Sequence, residues 1–478
     1  MPRVAHSGYT LGIDSKLPVA RAPQYLGQPQ AIPSQWAGQA AAAVVRKVRP
    51  RGVLLFLYAM WCIDVLGPQW FIASLGPQFV LRIPTLLFGI LLLVTLARGP
   101  RHLYPAFLTF LLYTAFIVPF AYIRTEALGV LKIVFAYYVI ALATLTLVRK
   151  AREIVPIILL VMAVQYGVWV VLGARTGQIT WHYTYFNYDS FGPLMVLGLI
   201  FLYWVGMATS NRKWRRIAFL TAGGCIVGLV VSFARGAVLS CGVVAVWTWY
   251  RSPNKVRTGV LGLAAAIVLI ISATIFEGAK SAVVSGKAYT NFWQEMASSF
   301  DPNEGTRQDR EVLWHLALRV YAHYPLFGVG PNCFGAYAAD NFTAGTVGGN
   351  YAANPKTLYG RALHNTYYQL LSEFGTVGLA LFGWLVWDFF KRNRQLRKQA
   401  RLQAWVARTG GQLNLRYLSF GLEGAMMVFL LTAYFYNQIF DVDWFYSILT
   451  INIVLYHVTK PDFGAARRVP ARNAGLAR

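Results

Sequence analysis

The stretch RALHNTYYQLLSEFGTVGLALFGWLVW, residues Arg361–Trp387, opens with polar residues and then stays predominantly apolar to its end. A predominantly apolar segment of roughly 20 residues is typical of a helix that crosses a membrane. His364 and Asn365 lie at its start, where such a helix leaves the lipid and meets water. The stretch therefore predicts a membrane fold and a polar site at the end of one of its helices.

The composition of the whole chain indicates the same class. Of its 478 residues, 56% are hydrophobic and only 13% are charged, and the mean hydropathy is +0.46. A soluble protein carries roughly twice that charged fraction. We predict an all-α polytopic membrane protein with about twelve transmembrane helices. The predicted spans are residues 53–73, 84–97, 103–121, 128–148, 154–172, 190–209, 217–233, 236–250, 259–276, 363–390, 419–439 and 442–457.

The net charge of +26 is distributed unevenly along the chain. Most Lys and Arg residues lie in alternate connections between the predicted spans and in the two terminal segments. This positive-inside pattern predicts that both termini are cytoplasmic and that the basic residues face anionic lipid. No nucleic-acid recognition motif accompanies the charge, so no nucleic-acid partner is expected. The four cysteines show no metal-binding spacing, and no disulfide is expected at Cys333.

The connection 277–362 is the one long loop, and it falls on the side opposite the termini. Its segment DREVLWHLALRVYAHYP, residues 309–325, has helical apolar spacing. We expect an amphipathic helix that Asp309 caps, that Pro325 ends and that lies along the membrane surface. The predicted organisation is a basic cytoplasmic N-terminal tail (1–51), spans one to nine (52–276), this large periplasmic loop (277–362), spans ten to twelve (363–458) with a basic cytoplasmic loop (391–416), and a cytoplasmic C-terminal tail (459–478).

Several cations lie at the outer ends of predicted spans or in the long loop: Arg82, Lys132, Arg235, Arg307 and Arg310. A charge at the apolar boundary is costly and usually has a partner or a substrate, although a single boundary arginine commonly extends to lipid headgroups. The presence of several cations on one face favours a phosphate-bearing lipid substrate, because guanidinium groups match phosphate oxygens.

His364 lies where the tenth predicted span begins. One interpretation is a packing residue at the membrane interface. The other is a general base, because a helix N-terminus and nearby arginines favour the neutral imidazole, which accepts a proton. Asn365 is expected to orient the histidine or to bind a sugar hydroxyl, and Tyr368 to share its helix face and contact the acceptor. Glu373 is expected to be a buried, hydrogen-bonded packing residue.

Three segments together resemble one family. HNTYYQLLSEFGTVGLALF (364–382) is similar to the His-Asn…Glu-x-Gly-x-x-Gly segment of the O-antigen ligase and polymerase superfamily. REVLWHLALRVYAHYPLFGVGPNCF (310–334) resembles its Arg-x-x-x-Trp…Pro-Leu-x-Gly-x-Gly segment in the large periplasmic loop. VSFARGAVL (231–239) resembles its Ser-Arg-Gly turn, with Ala234 in place of the usual residue before the arginine.

The resemblance implies a lipid-linked glycan transferase with a fold akin to the integral-membrane, GT-C-like glycosyltransferases. Members of the superfamily take a glycan from undecaprenyl diphosphate at the periplasmic face of the bacterial inner membrane. They transfer it to lipid A–core, to another lipid-linked glycan, or in some branches to protein. By motif position, Arg235, Arg310 and His364 match the functional residues. Arg307, Lys132 and Arg82 are added as diphosphate ligands from charge and topology alone.

The implied reaction is a single displacement that inverts the anomeric centre. His364 is the expected base, and arginines are expected to stabilise the departing diphosphate without a metal or cofactor. Transfer to lipid A–core, a ligase reaction, is the first expectation, and polymerisation of lipid-linked O-antigen or exopolysaccharide repeats is the alternative. A transporter or flippase of an anionic lipid-linked sugar is the competing class. Transporters favour internal repeats and midplane charges, whereas this sequence shows no repeat and places its cations at the outer boundary.

Overall fold

The computed structural model describes residue 89 and residues 104–148, 153–154, 188–232, 234–276, 293, 296–297, 305–343, 347, 349–406, 414–437 and 444–459. The chain divides into two compact units, Met1–Gly52 and Val53–Arg478, and the first unit lies outside the described residues. The α-helices are α1 (Pro105–Ile117), α2 (Arg124–Leu147), α3 (Tyr188–Ala208), α4 (Arg212–Ser232), α5 (Arg235–Arg251), α6 (Lys255–Phe276), α7 (Gly305–His323), α8 (Phe334–Asn341), α9 (Thr366–Gln369), α10 (Gly375–Val406), α11 (Leu415–Thr432) and α12 (Trp444–Thr459). One π turn, Leu370–Phe374, joins α9 to α10, and the described residues contain no strand.

The helices bear out part of the predicted span pattern. The predicted spans 53–73, 84–97 and 154–172 lie outside the described residues except at isolated positions, and each of the others coincides with a helix. Among the described residues, four helical stretches are long and apolar enough to cross a membrane: Arg124–Leu147, Phe191–Ala208, Thr366–Ala400 and Leu415–Thr432. The chain is thus all-helical where it is described and has the helices of a membrane protein. The number of twelve spans and the GT-C-like arrangement stay predictions.

The bundle is held together by aromatic residues between its helices. Trp204 on α3 is fully buried and lies 5.2 Å, between ring centroids, from Phe420 on α11. Tyr446 on α12 stacks on Tyr137 of α2, with centroids 4.5 Å apart and 7° between the ring planes. Burial of a large ring contributes more apolar area than any aliphatic side chain, so these pairs fix how the helices pack.

The helices α5 and α6 expose large apolar side chains on the outside of the bundle. Leu239, Val246 and Leu263 are 60%, 66% and 64% exposed. Soluble monomers rarely leave so wide an apolar face in water. This face therefore fits a helix pair that borders lipid.

The long loop has a hydrophobic core of its own, built largely by α7. The buried α7 residues are Leu313, Leu316, Ala317 and Val320. They pack on α8 and on the turn that follows α1. The predicted amphipathic helix is therefore present. Its apolar face is buried against other parts of the protein, so that face does not support the prediction that the helix lies along a membrane surface. The predicted N-cap is wrong, because α7 begins at Gly305 and Asp309 lies inside it; the helix ends at His323, before Pro325.

The segment after α7 docks on the break between the π turn and α10. Four backbone hydrogen bonds join them: Val329 N–H to Ser372 O (3.0 Å), Gly330 N–H to Glu373 O (3.0 Å), Thr376 N–H to Pro325 O (2.8 Å) and Val377 N–H to Leu326 O (3.3 Å). Gly375 has φ 66° and ψ −169°, a conformation that is essentially confined to glycine. A Cβ there would overlap the carbonyl of Leu326, and a Cβ on Gly328 would overlap the backbone of Glu373. The two glycine-containing motif segments therefore fit each other because both lack side chains at the contact.

Candidate active site

His364 lies just before a helix rather than within it. The helix α9 begins at Thr366, and Asn365 is its N-cap: the Asn365 Oδ1 accepts from the N–H groups of Tyr367 (2.9 Å) and Tyr368 (3.2 Å). His364 is half-buried and has φ 52°, in the left-handed region. The prediction that His364 opens the span and shares a helix face with Tyr368 is therefore wrong. The physical reason is that the asparagine side chain satisfies the first helical N–H groups, so the helix can start only after it.

A turn that follows α11, here called the 433–437 turn (Ala433–Asn437), holds this segment from the other side. Its bonds are Asn365 N–H to Asn437 Oδ1 (3.0 Å), Thr366 N–H to Ala433 O (2.8 Å) and Thr366 Oγ1–H to Tyr436 O (2.8 Å). Asn365 and Thr366 are fully buried. The backbone next to His364 is thus fixed by a tertiary contact, and not by the start of a helix alone.

The loop helix α7 reaches the same place through Trp314. Its indole Nε1–H donates to the carbonyl oxygen of Leu363, 3.0 Å away, in the residue before the candidate histidine. The Trp314 ring stacks on Tyr368, with centroids 5.4 Å apart and 21° between planes, and lies 5.6 Å from the ring of Tyr434. Arg310 precedes Trp314 by four residues, so both lie on the same side of α7. The structure therefore brings the Arg310 side of the loop helix to the histidine.

Arg235 is the first residue of α5 and is half-buried beside the 433–437 turn. The Cβ that Gly236 lacks would lie 2.6 Å from the ring of Phe435 in that turn. Only glycine permits so close an approach of the helix to the turn. The three motif segments, with Arg235, Arg310 and His364, therefore all meet the 433–437 turn or its immediate neighbours.

Two buried donors at this junction lack a hydrogen-bond partner among the described residues. They are Asn365 Nδ2 and Arg310 Nε. The orientation of the Asn365 amide is fixed, because its oxygen caps α9. An unsatisfied buried donor costs about 1–3 kcal/mol, and a charged one more. Both atoms therefore suit a ligand rich in acceptor oxygens, such as a phosphate or a sugar.

The other predicted diphosphate ligands are less closely tied to this junction. Arg307 pairs with Glu311 one turn along α7, 3.0 Å away, and the two side chains are 53% and 48% exposed. Lys132 is exposed on α2. Arg82 lies outside the described residues. These three assignments stay predictions.

Glu373 fastens the loop to the π turn. Its carboxylate accepts from the N–H of Asn332 (2.9 Å), the N–H of Phe334 (3.4 Å) and Nε2 of Gln369 (3.2 Å). The residue is only 4% exposed. The expectation that Glu373 is a buried, hydrogen-bonded packing residue is confirmed.

A set of polar contacts centred on Asp340, here called the clip, stabilises another part of the loop. Asp340 accepts hydrogen bonds from Lys356 Nζ (2.6 Å), Tyr359 OH (2.6 Å) and Tyr122 OH (2.9 Å). These donors, the ammonium group first, lower the pKa of Asp340 to about 2. The stability from this depressed pKa is complete above the ordinary value of 3.8 and is lost only as the pH falls toward 2. The clip is therefore intact throughout the pH range of a living cell.

The predicted absence of a metal and of a cofactor stays a prediction. Within the described ranges, no group of three or more His, Cys, Asp or Glu residues is placed to hold a metal ion. Cys333 is a buried free thiol, and burial raises its pKa to about 11. A thiol in that state is a poor nucleophile.

Sequence reasoning missed the 433–437 turn. Its letters, AYFYN, continue a predicted span and have the composition of an aromatic belt at a membrane interface. The one signal in the sequence was Asn437, a polar side chain near the outer end of the predicted span 419–439. A polar residue at that depth indicates a hydrogen-bonding partner, which the structure identifies as the Asn365 backbone.

Fold and site together define an all-helical membrane protein with an arginine- and histidine-bearing junction at one end of its bundle. Residues 217–383 match the family model described as O-antigen ligase, which confirms the resemblance drawn from the motifs. The match runs from α4 into α10 and includes Arg235, Arg310 and His364, whereas the 433–437 turn lies outside it. It supports a glycosyltransferase-like enzyme of the ligase or polymerase type in O-antigen biosynthesis, with lipid-linked glycan substrates in a membrane. No match was found among curated proteins.

Proposed function

We propose that the protein transfers a glycan from undecaprenyl diphosphate to a hydroxyl group of lipid A–core. In this proposal the site faces the periplasm, the protein is a multi-pass component of the bacterial inner membrane, and both termini are cytoplasmic. The observation that carries the proposal is the meeting of three motif segments at the 433–437 turn. This meeting supports a site in which His364 is the candidate base and Arg310 and Arg235 are the candidate phosphate ligands.

The proposed chemistry is a single displacement. The acceptor hydroxyl oxygen forms a bond to the anomeric carbon while the bond from that carbon to the diphosphate oxygen breaks. His364 takes the hydroxyl proton, and the diphosphate leaves as an anion that Arg310 and Arg235 stabilise. Attack from the opposite face inverts the anomeric centre. A guanidinium group can stabilise this charge without a metal. Arg307, Lys132 and Arg82 are further proposed ligands of the diphosphate.

Asn365 has a proposed role that fits its unused donor. Its Nδ2 is the one amide position that the N-cap does not occupy. An oxygen of the diphosphate or a sugar hydroxyl would satisfy it. Tyr368 contributes its ring beside the acceptor. The two residues thereby orient substrate rather than transfer a proton.

The direct test is transfer by purified protein in liposomes. The donor is a polyprenyl-diphosphate-linked glycan, and the acceptor is lipid A–core. We expect a glycosylated acceptor and free polyprenyl diphosphate in equal amounts, with activity retained in chelator. Donor that crosses the bilayer without product would favour a flippase and contradict the proposal, and loss of activity in chelator would contradict metal independence.

A polymerase is the second candidate, because ligases and polymerases share the motifs. The two differ in the glycan ladder of cells that lack the protein. Loss of a ligase removes all long-chain glycan from lipopolysaccharide, whereas loss of a polymerase leaves single repeats on the core. The ladder therefore decides between them.

The proposed sidedness has its own test. Cysteines placed at the exposed positions His315 on α7 and Lys398 on α10 should react differently with a membrane-impermeant thiol reagent. We expect His315→Cys to label in cells with a permeabilised outer membrane, and Lys398→Cys only after the inner membrane is opened. The reverse pattern would place the junction in the cytoplasm and contradict the proposal.

A further inference from the structure

Three aromatic rings from three separate segments gather next to His364. Trp314 on α7 stacks on Tyr368 at 5.4 Å, with 21° between planes. Tyr434, in the 433–437 turn, lies 5.6 Å from Trp314 with 59° between planes. The rings form an angled surface, here called the aromatic platform (Trp314, Tyr368 and Tyr434).

The platform is tethered to the backbone that carries the histidine. The Trp314 indole N–H holds the carbonyl of Leu363, and the Tyr368 N–H is bound by the Asn365 cap. Tyr434 belongs to the turn whose carbonyls and amide bind Thr366 and Asn365. A displacement of any ring would therefore shift the backbone next to the candidate base, His364. This fixed geometry is what a substrate-positioning surface requires.

The platform is also partly open. Tyr434 is 47% exposed, and Trp314 and Tyr368 are half-buried. By contrast, Tyr436 in the same turn is 2% exposed, and the Tyr367 hydroxyl is bonded to Leu430 O at 2.7 Å. The turn therefore divides its aromatic residues between the core and an accessible surface at the site. An accessible aromatic surface beside polar donors is typical of a ligand site rather than of core packing.

We propose that the aromatic platform binds the apolar C–H face of a pyranose ring adjacent to the bond being formed. The inference rests on the proposed transferase function and names Trp314 and Tyr434 as further substrate-contacting residues. The buried donors Asn365 Nδ2 and Arg310 Nε belong to residues three and four positions before Tyr368 and Trp314, and they match the hydroxyl and phosphate oxygens of such a ligand. The pyranose can belong to the donor glycan or to the acceptor core, and the kinetics below separate the two.

A purely apolar ligand fits a different part of the protein. A cavity of about 340 Å³ is lined by Phe116, Phe120, Phe327 and neighbouring residues, and its walls are mostly apolar. Phe120 is 74% exposed there. The aromatic platform differs because charged and amide donors adjoin it. Sugar rings, which combine an apolar face with hydroxyl edges, suit that combination.

The test is a ring series at Tyr434 in the reconstituted transfer assay. Tyr434→Phe and Tyr434→Trp should keep near-normal kinetics, because the ring is kept. Tyr434→Leu, which is apolar but not aromatic, should raise KM roughly 3- to 10-fold for one substrate, the range of a single aromatic contact, with kcat changed less. A rise for the acceptor assigns the ring to the core sugar, and a rise for the donor assigns it to the transferred glycan.

The matched control is Tyr324→Leu. The exposed fraction of Tyr324, 45%, is close to the 47% of Tyr434. The Tyr324 ring packs on Tyr337 in the loop and is outside the platform. We expect its KM values to be unchanged. Equal effects of Tyr324→Leu and Tyr434→Leu, or a normal KM for both substrates in Tyr434→Leu, would overturn the inference.

Binding without turnover separates this inference from the proposed function. Saturation-transfer difference NMR with the free acceptor or donor oligosaccharide should show pyranose C–H signals with wild type and weaker signals with Tyr434→Leu. Wild-type protein that transfers no glycan contradicts the proposed function. Normal transfer together with an unchanged NMR signal in Tyr434→Leu contradicts the platform alone.

Discussion

The two ends of the helical stretch Thr366–Ala400 both gather arginines but satisfy them in different ways. At the Arg397 end, Arg397 is bonded to Glu423, and Arg251 lies 3.7 Å from the same carboxylate. The ring of Phe420 lies beneath both guanidinium groups, 5.8 Å and 5.7 Å from them. Every one of these contacts is internal to the protein, so Arg397 and Arg251 both have a carboxylate partner within it.

The His364 end is different. Two donor atoms there, Arg310 Nε and Asn365 Nδ2, are buried and have no hydrogen bond among the described residues. Carboxylates are nearby in the loop, but Glu373 is occupied by backbone N–H groups and Glu311 by Arg307. We infer that one arginine cluster serves packing, whereas the other keeps donors available for a ligand. Substitutions at the two ends should therefore fail in different assays.

Among the arginines of the two ends, the largest effect is expected at Arg310. Arg310→Ala should lower glycan transfer roughly 10²–10³-fold, because it removes a donor aimed at the departing charge. Arg310→Lys should recover only part of that loss, since a point charge lacks the planar fork. The measurement is the rate of transfer in liposomes at saturating donor. Full activity of Arg310→Lys would show that no bidentate contact is made there.

The docking of the loop on the π turn should be nearly as sensitive. Gly375→Ala places a Cβ into the Leu326 carbonyl at a glycine-only conformation, and we expect it to cost about 3 kcal/mol or more. The readout is the yield of monodisperse protein and its thermal unfolding in detergent. Gly360→Ala is the matched control, because Gly360 has φ 68° but open space around its missing Cβ. Equal stability of the two variants would contradict the docking.

The Arg397 end should respond in stability and not in catalysis. Glu423→Gln leaves Arg397 and Arg251 without their shared carboxylate, and we expect about 1–3 kcal/mol of destabilisation. The KM values and kcat of the surviving folded protein should match wild type. Normal thermal unfolding together with impaired transfer in Glu423→Gln would contradict the inference that the Arg397 end serves packing alone.

The smallest effect is expected at Arg307. Its pair with Glu311 is exposed and of the i,i+4 kind, which contributes about 0.3–0.5 kcal/mol. Arg307→Gln should hardly change thermal unfolding, and its donor KM should rise at most a few-fold if the exposed guanidinium also reaches the diphosphate. If Arg307→Gln lost as much transfer activity as Arg310→Ala, Arg307 would bind the diphosphate as strongly as Arg310. The substrate would then break the exposed Arg307–Glu311 pair.

The sequence was sufficient to locate the described bundle helices and to recognise the family resemblance of the motif segments. Apolar runs located the bundle helices, because lipid demands long uninterrupted segments. The start of α9 was misplaced by three residues, although Asn365 is a favoured N-cap type and the signal was present in the sequence. The start of α7 was misplaced for the opposite reason: Asp309 is a favoured N-cap type, yet the helix continues upstream through it. Propensity is a weak guide when neighbouring turns compete.

The 433–437 turn could not be predicted, because its role comes from tertiary contacts. Asn437 and Asn365 are 72 positions apart, and nothing local to either indicates the other. The same is true of Phe435, which matters only because Gly236 packs against it. The pairing of Arg397 with Glu423 is likewise invisible in the pattern of charges, which indicates membrane sidedness alone. Long-range packing thus decides which arginines are satisfied.

A matched pair of histidine substitutions shows whether His364 is the base of a glycan transfer. His364→Ala and the control His315→Ala, at an exposed position on α7, are reconstituted in liposomes and assayed for donor binding and for transfer. We predict normal donor binding in both, and a transfer rate roughly 10²–10⁴-fold lower in His364→Ala only. Ordinary transfer by His364→Ala would contradict the assignment and leave His364 as a packing residue at the membrane boundary.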